Sequence, residues 1–297
     1  MGRWTSVAVC VAMAAGAAGA DPGQIEINES CAEVGCFPGD KAGYPVTITA
    51  PGSYRLTSNL TPAAKSAIEI HDSDVQLDLG GFVVRCQAAF VALSGTIVDG
   101  TTQAPTAAPE PPPVPEPGST ACPGEVDGIG GAGDNIRISN GTVRNFGSSG
   151  IDLDGRGARI FDVAALGNGY RGIDLQGNDH AVVRDALALD NGSSGIILGE
   201  GSMIRDSVAG NNGGGALSAS LGSQIRDSVS RGNHNGATTG GHGLIHGLVT
   251  TENNYGFSPG VDSGRGLVVS GDNAVSDSSG FVKRLDCVLI GSAVNCP

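Results

Sequence analysis

The lines ARIFDVAALGNGYRGIDLQG (158–177), AVVRDALALDNGSSGIILGEG (181–201), SMIRDSVAGNNGGGALSASLG (202–222) and SQIRDSVSRGNHNG (223–236) repeat one another, and that repetition decides the fold. Ile160, Val183, Ile204 and Ile225 recur at steps of 23, 21 and 21 residues. Four places on, Ala164, Leu187, Val208 and Val229 read as their buried apolar partners. A further column, Ile151, Ile173 and Ile196, follows Gly150, Gly172 and Gly195 at steps of 22 and 23. Gly, Asn and Asp punctuate these columns, so each line is two or three short alternating strands broken by turns. A helical repeat would want Ala, Leu, Glu and Lys and would not tolerate several glycines per line.

A repeat this small cannot bury an apolar face alone and must stack on its neighbours. The expected fold is all-β: a single right-handed parallel β-helix, a solenoid, with an irregular disulfide-stapled N-terminal cap. Equivalent residues of successive coils then lie about 4.8 Å apart. Stacking explains two polar columns. Asp162, Asp185, Asp206 and Asp227, with Asn140 above them, recur just after the first strand of each line. Asn168, Asn191, Asn212 and Asn233, continued by Asn253, mark the other bend. Both residue types accept left-handed backbone angles and bond neighbouring amides, so both columns read as turn ladders.

Working outward, residues 1–20 hold Arg3, a short apolar run and the small residues Ala18, Gly19 and Ala20, the pattern of a secretory signal peptide. Residues 21–43 form an N-terminal disulfide loop or cap, and 44–86 the first irregular coils. Residues 87–126 are a proline-rich excursion, and 127–297 the main β-helix with a stapled C-terminal end. Six cysteines remain after the leader, and sequence neighbours pair: Cys31 with Cys36, Cys86 with Cys122, and Cys287 with Cys296. Without zinc-type spacing, disulfides in an oxidising compartment are the expectation, and the protein is expected to be secreted or periplasmic. No later stretch is apolar enough for a membrane span. The net charge of −13 argues against nucleic acid as a partner, and aromatics at 4% argue against a broad sugar-stacking platform.

Alternation along the Gly-Ile-x-Leu strands turns Ile151, Leu153, Ile173, Leu175, Ile196 and Leu198 inward and sends Asp152, Asp154, Asp174 and Gln176 to one outer face. Asp152 and Asp174 become neighbours across coils, about 5 Å apart. Like charges so close need a cation, an arginine or a shared proton, and Arg171 is the nearest arginine. The candidate catalytic residues are therefore Asp152, Asp174 and Arg171, with Asp154 and Gln176 binding substrate. Asp152, Asp154 and Asp174 are also candidate ligands for Ca²⁺, which prefers several oxygens. A solvated acidic patch is the bland alternative. Arg184, Arg205 and Arg226, extended by Arg159, form a stacked basic column, read either as a stripe suited to an acidic glycan or sulfate or as exposed side chains screened by the neighbouring aspartates. His234, His242 and His246 are a remote metal candidate.

The period, the Gly-Ile-x-Leu columns, the Asn and Asp ladders and the text GYPVTITAPGSYRLTSNLT (43–61) with AIEIHDSDVQLDLGGFVV (67–84) resemble bacterial secreted β-helix proteins of the pectin-lyase-like superfamily. The resemblance covers roughly 44–86 and 127–256 and is specific for fold, not activity. It implies a polysaccharide or cell-surface glycan as partner, and a lyase or glycoside hydrolase if the protein is an enzyme. The Asn-Thr-Asp, Gly-His-Asp and Arg-Ile-Lys motifs of polygalacturonases and the Asp-Pro-His-Glu signature of mannuronan epimerases are absent. The function expected is binding, with cleavage open, of extracellular or envelope polysaccharide, against a noncatalytic structural or adhesion module.

Overall fold

The computed structural model describes residues 23–87, 122 and 124–259, followed by the backbone of four short strands, Gly264–Arg265, Val268–Gly271, Val288–Ile290 and Ala293–Asn295. The expected leader and most of the proline-rich excursion lie outside the described residues.

Ile160 pairs in parallel register with Ile138 on one side and Val183 on the other, and Val183 continues to Ile204, Ile225 and Ile245. All six side chains are fully buried, one unbroken inner file. A second file, Ile129, Ile151, Ile173, Ile196, Leu217 and Ala237, is likewise buried and in register. Each large side chain removed from water in this way stabilises the stack by ~1.5–3 kcal/mol. The result is a parallel solenoid of about 8 turns. An 18-stranded sheet folds round two of its sides and a 10-stranded sheet closes the third.

The column four places after each isoleucine departs from expectation. Val208 is 38% exposed, while its neighbour Ala209 is buried, and Leu187 and Ala188 divide in the same way. The inner column is Val143, Ala165, Ala188, Ala209, Ser230 and Thr250, and Ala164, Leu187, Val208, Val229 and Val249 face outward. The cause is the aspartate column. Asp162, Asp185, Asp206 and Asp227 have φ of 53°, 53°, 50° and 46°, and Asn140 has 60°. One left-handed residue between two extended runs turns the chain through a corner and shifts the alternation by one place.

The asparagine column behaves differently. Asn168, Asn191, Asn212, Asn233 and Asn253 point into the helix and are almost wholly buried. Each Oδ1 accepts the backbone N–H of the residue one coil before it, from Phe146 onto Asn168 (3.1 Å) through to Asn233 onto Asn253 (2.9 Å). The side-chain amides donate to the next Oδ1 at 2.9–3.0 Å. The left-handed angle falls one residue earlier, on Asn145, Gly167, Asp190, Asn211, Gly232 and Glu252. The ladder thus satisfies buried amides at a bend, a need that neither Ala nor Leu meets. Serines do the same work elsewhere: Ser202 N–H donates to Ser223 Oγ (3.0 Å) and Ser207 N–H to Ser228 Oγ (3.3 Å).

At the N-terminal end, Gln24–Ile27 pairs with Gly52–Leu56, and the one-turn helix Glu29–Ala32 packs beside it, capped by Asn28. The Cys31–Cys36 disulfide staples this cap. The Cys86–Cys122 disulfide joins the two ends of the excursion. Ile68–Ile70 pairs directly with Ile129–Ala132, and Val83–Arg85 with Arg137–Arg144, so the stacking register carries across that interruption. Two of the three expected disulfides are therefore formed. The third, between Cys287 and Cys296, is not among them: Cys287 and Cys296 both lie outside the described residues, and the expected staple at the C-terminal end goes with them.

Candidate functional site

The outer face of the 10-stranded sheet carries a register column that runs Glu69, Gly130, Asp152, Asp174, Ile197 and Ser218. Asp152 and Asp174 are therefore adjacent, as the repeat requires. Arg171, in the turn leading into Ile173–Leu175, closes over Asp174: its Nη1 donates to Asp174 Oδ2 at 2.5 Å and to Gln176 Oε1 at 3.1 Å. Its Nη2 donates to Tyr170 Oη (3.1 Å), and its Cζ lies 4.7 Å from the centre of the Tyr170 ring. The other Asp174 oxygen accepts the Gln176 backbone N–H (3.2 Å). Both partners of this ion pair are largely buried, which makes it stiff.

Asp152 has no such ion pair among the described residues. Burial first, then the carboxylates of Asp174, Asp127 and Asp154, push its carboxyl up from 3.8 to about 7, with Arg171 pulling it back down. Asp152 thus keeps its proton into the neutral range while its neighbours repel a further negative charge. Asp127 belongs to the segment before Ile129–Ala132. Its Oδ1 accepts the Ser149 N–H at 2.8 Å, and it leans over Gly130, where an added Cβ would lie 3.7 Å from its own Cβ. Asp154 is exposed two places along the strand, with its Oδ1 in the space above Gly177; a Cβ there would overlap it.

The five residues singled out by periodicity, Asp152, Asp154, Asp174, Arg171 and Gln176, do share one patch. Two others were missed. Asp127 stands one place before Gly128 and Ile129, which lie 22 residues before Gly150 and Ile151 and continue that column, so its position was open to inference. Tyr170 is 45% exposed and its signal was only adjacency to Arg171.

Among the described residues, no group of three or more His, Cys, Asp or Glu side chains is arranged to hold a metal ion. At the aspartates, the Arg171 guanidinium already supplies the cation that Asp174 needs. The three histidines separate. His234 Nδ1 meets Asn254 Nδ2 (2.9 Å), His242 occupies a left-handed corner (φ 58°), and His246 lies 3.9 Å from Asp227.

On the 18-stranded sheet, Arg184, Arg205 and Arg226 stack in register and His246 continues them. Arg159 does not extend this column. It pairs with Arg137 and Val182, and Phe161 occupies the place next to Arg184. The reason is visible in the lines themselves: Arg159 precedes its inward isoleucine, whereas Arg184 follows Val183. A cleft of about 250 Å³, lined by Asp74, Gln76, Asn135, Arg137 and Arg159, opens on this sheet.

No protein-family model matches the chain, and no curated protein matches it. Solved structures do. The chain aligns with the Dettilon tailspike protein gp208 at a TM-score of 0.51 and 12% identity, over 91% of this chain and 51% of that one. It aligns with the A-module of the Azotobacter vinelandii mannuronan C-5 epimerase AlgE6 at a TM-score of 0.51 and 14% identity, over 88% of this chain and 69% of that one. The chain spans about half the length of the tailspike it matches. At such identities the likeness is one of architecture, and with the register above it shows the fold, a right-handed parallel β-helix.

Proposed function

We propose that this protein binds a polysaccharide outside the cytoplasm, on the outer face of the 10-stranded sheet around Tyr170, Arg171, Asp174 and Asp152. The observation that carries the reading is the pairing of a proton-bearing carboxyl with a rigid platform. Asp152, raised to about 7, donates a hydrogen bond to a sugar oxygen, while Tyr170 presents an exposed ring held in place by Arg171. Gln176 and Asp154, both exposed on the same patch, offer further donors and acceptors for hydroxyl groups. Support for the substrate class comes from the epimerase module of the same fold, which by its name acts on mannuronan. The disulfides Cys31–Cys36 and Cys86–Cys122 and the expected leader at 1–20 support export.

Binding without cleavage fits the site better than catalysis. A retaining glycosidase needs a free carboxylate nucleophile beside its acid, and Asp174 is instead committed to Arg171 and the Gln176 amide. The observation favouring a reacting site is the proton on Asp152, the property of a general acid.

A glycan array probed with the wild type, Asp152→Asn and Tyr170→Ala tests the proposal. The wild type is expected to retain a defined set of glycans, and Tyr170→Ala to lose them. Asp152→Asn keeps a donor and should retain them with altered pH dependence. An array on which the wild type binds nothing, or on which Tyr170→Ala binds the same glycans equally well, would leave the scaffold or adhesion role.

A further inference from the structure

The 18-stranded sheet presents a second polar surface that the first site does not use. Arg137 and Arg159 are strand neighbours in register, so their side chains leave the sheet about 4.8 Å apart. Two guanidinium ions at that spacing repel, and among the described residues neither forms an ion pair, unlike Arg171, Arg184, Arg205 and Arg231. Arg137 is steadied by the ring of Phe161, whose centre lies 4.9 Å from its Cζ and 4.4 Å from that of Arg184. Both arginines line the 250 Å³ cleft together with Gln76 and Asn135. The cleft has one carboxylate, Asp74, whose Oδ1 accepts from Asn135 Nδ2 at 3.1 Å. Two positive charges against one negative leave a local excess of one positive charge, on a chain whose net charge is −13.

We propose that this cleft binds the sulfate monoester of a sugar, clasped between Arg137 and Arg159. Guanidinium forks match oxyanions bidentately, and two forks with the Gln76 amide offer more donors than the two oxygens of a carboxylate can use. A sulfate ester supplies three oxygens. Charge sets the other limit: a monoanion neutralises the excess, whereas a phosphate ester or free sulfate, each close to doubly charged at pH 7.5, meets Asp74 with a charge to spare. The site lies on a different sheet from the aspartates and does not depend on their role.

Calorimetric titration of the full chain at low salt and pH 7.5 with glucose 6-sulfate, glucuronate, glucose 6-phosphate, inorganic sulfate and glucose tests this. Glucose 6-sulfate is expected to bind several-fold more tightly than any of the other four. Arg137→Gln combined with Arg159→Gln should weaken it at least tenfold, with an unchanged melting curve because both side chains are exposed. Arg137→Lys with Arg159→Lys, which keeps the charge and loses the forks, should fall between. Asp74→Asn should narrow the gap between the sulfate and phosphate esters. The proposal is overturned if the wild type binds no glucose 6-sulfate, if any competitor binds as tightly, or if the double glutamine variant binds like the wild type.

Discussion

Replacing Asp152 by Asn should change how stability depends on pH. In the folded chain the carboxyl is raised from 3.8 to about 7 by burial and by Asp174, Asp127 and Asp154. Folded protein therefore holds a proton between these values that unfolded protein has released, and by linkage stability falls as pH rises through that window. Below about pH 4 the group is protonated in both states and costs nothing; above about pH 7 it is ionised in both and the full penalty is present. At 1.36 kcal/mol per pH unit, the interval from 3.8 to about 7 corresponds to at most ~4 kcal/mol. Asp152 is only partly buried, and solvent screening reduces this to ~1–2 kcal/mol. Asn has the same shape and no charge, so Asp152→Asn should match the wild type at pH 4 and exceed it by ~1–2 kcal/mol at pH 8. Urea denaturation of both proteins across pH 4–8 reads the difference directly. A stability gap that stays constant over that range, or a wild type that gains relative to the variant as pH rises, refutes a protonated Asp152 and removes the donor on which the proposed sugar contact rests.

Three further outcomes test the scaffold. Asn212→Ala removes the Oδ1 that accepts from Asn191 N and Nδ2 and the amide that donates to Ala188 O and Asn233 Oδ1, leaving buried groups unpaired; the expected loss is ~3–5 kcal/mol in urea denaturation, and one below 1 kcal/mol would count against the ladder. Val208→Lys should be tolerated within ~0.5 kcal/mol, whereas Ala209→Lys, one place along and buried, should prevent cooperative folding. The reverse order would restore the inward reading of Val208. Cys86→Ser with Cys122→Ser should cost ~4 kcal/mol, the chain-entropy value for a separation of 36 residues, while an unchanged denaturation midpoint would show that the link adds nothing to stability.

The repeat made the architecture legible because stacking places equivalent positions in contact and so demands equivalent chemistry. Ile160, Val183, Ile204 and Ile225 need one another, and their spacing records it. The outward turn of Leu187, Val208 and Val229 was harder to see, since an apolar residue four places after another reads as a core partner in an unbroken strand. The aspartate between them breaks the strand. Asp185 and Asp206 were recognisable as candidates for left-handed geometry, but one bend residue reverses the parity of everything after it until the next bend. Ala188 and Ala209 gave no competing signal because alanine is common on both faces.

The site shows the same division. Register along a strand is fixed by backbone hydrogen bonds, so the adjacency of Asp152 and Asp174 followed from counting residues. Arg171 and Asp127 lie in turns, where the period sets position along the axis and leaves direction to local geometry. Arg171 came close enough to bind Asp174, and Asp127 came over Gly130 because a residue without a side chain left room above Asp152. That difference decides the chemistry. A guanidinium on Asp174 alone leaves its neighbour unpaired, and burial, together with the carboxylates around it, pushes the Asp152 carboxyl up to about 7. On the other sheet the shortage is reversed: Arg137 and Arg159 stack with no acid between them, and the aspartates that pair with Arg184 and Arg205 occupy corners that Arg159, placed before its isoleucine, does not reach. An acidic β-helix thus presents a carboxyl raised to about 7 on one flank and, on another, a guanidinium pair that shares a single carboxylate, Asp74.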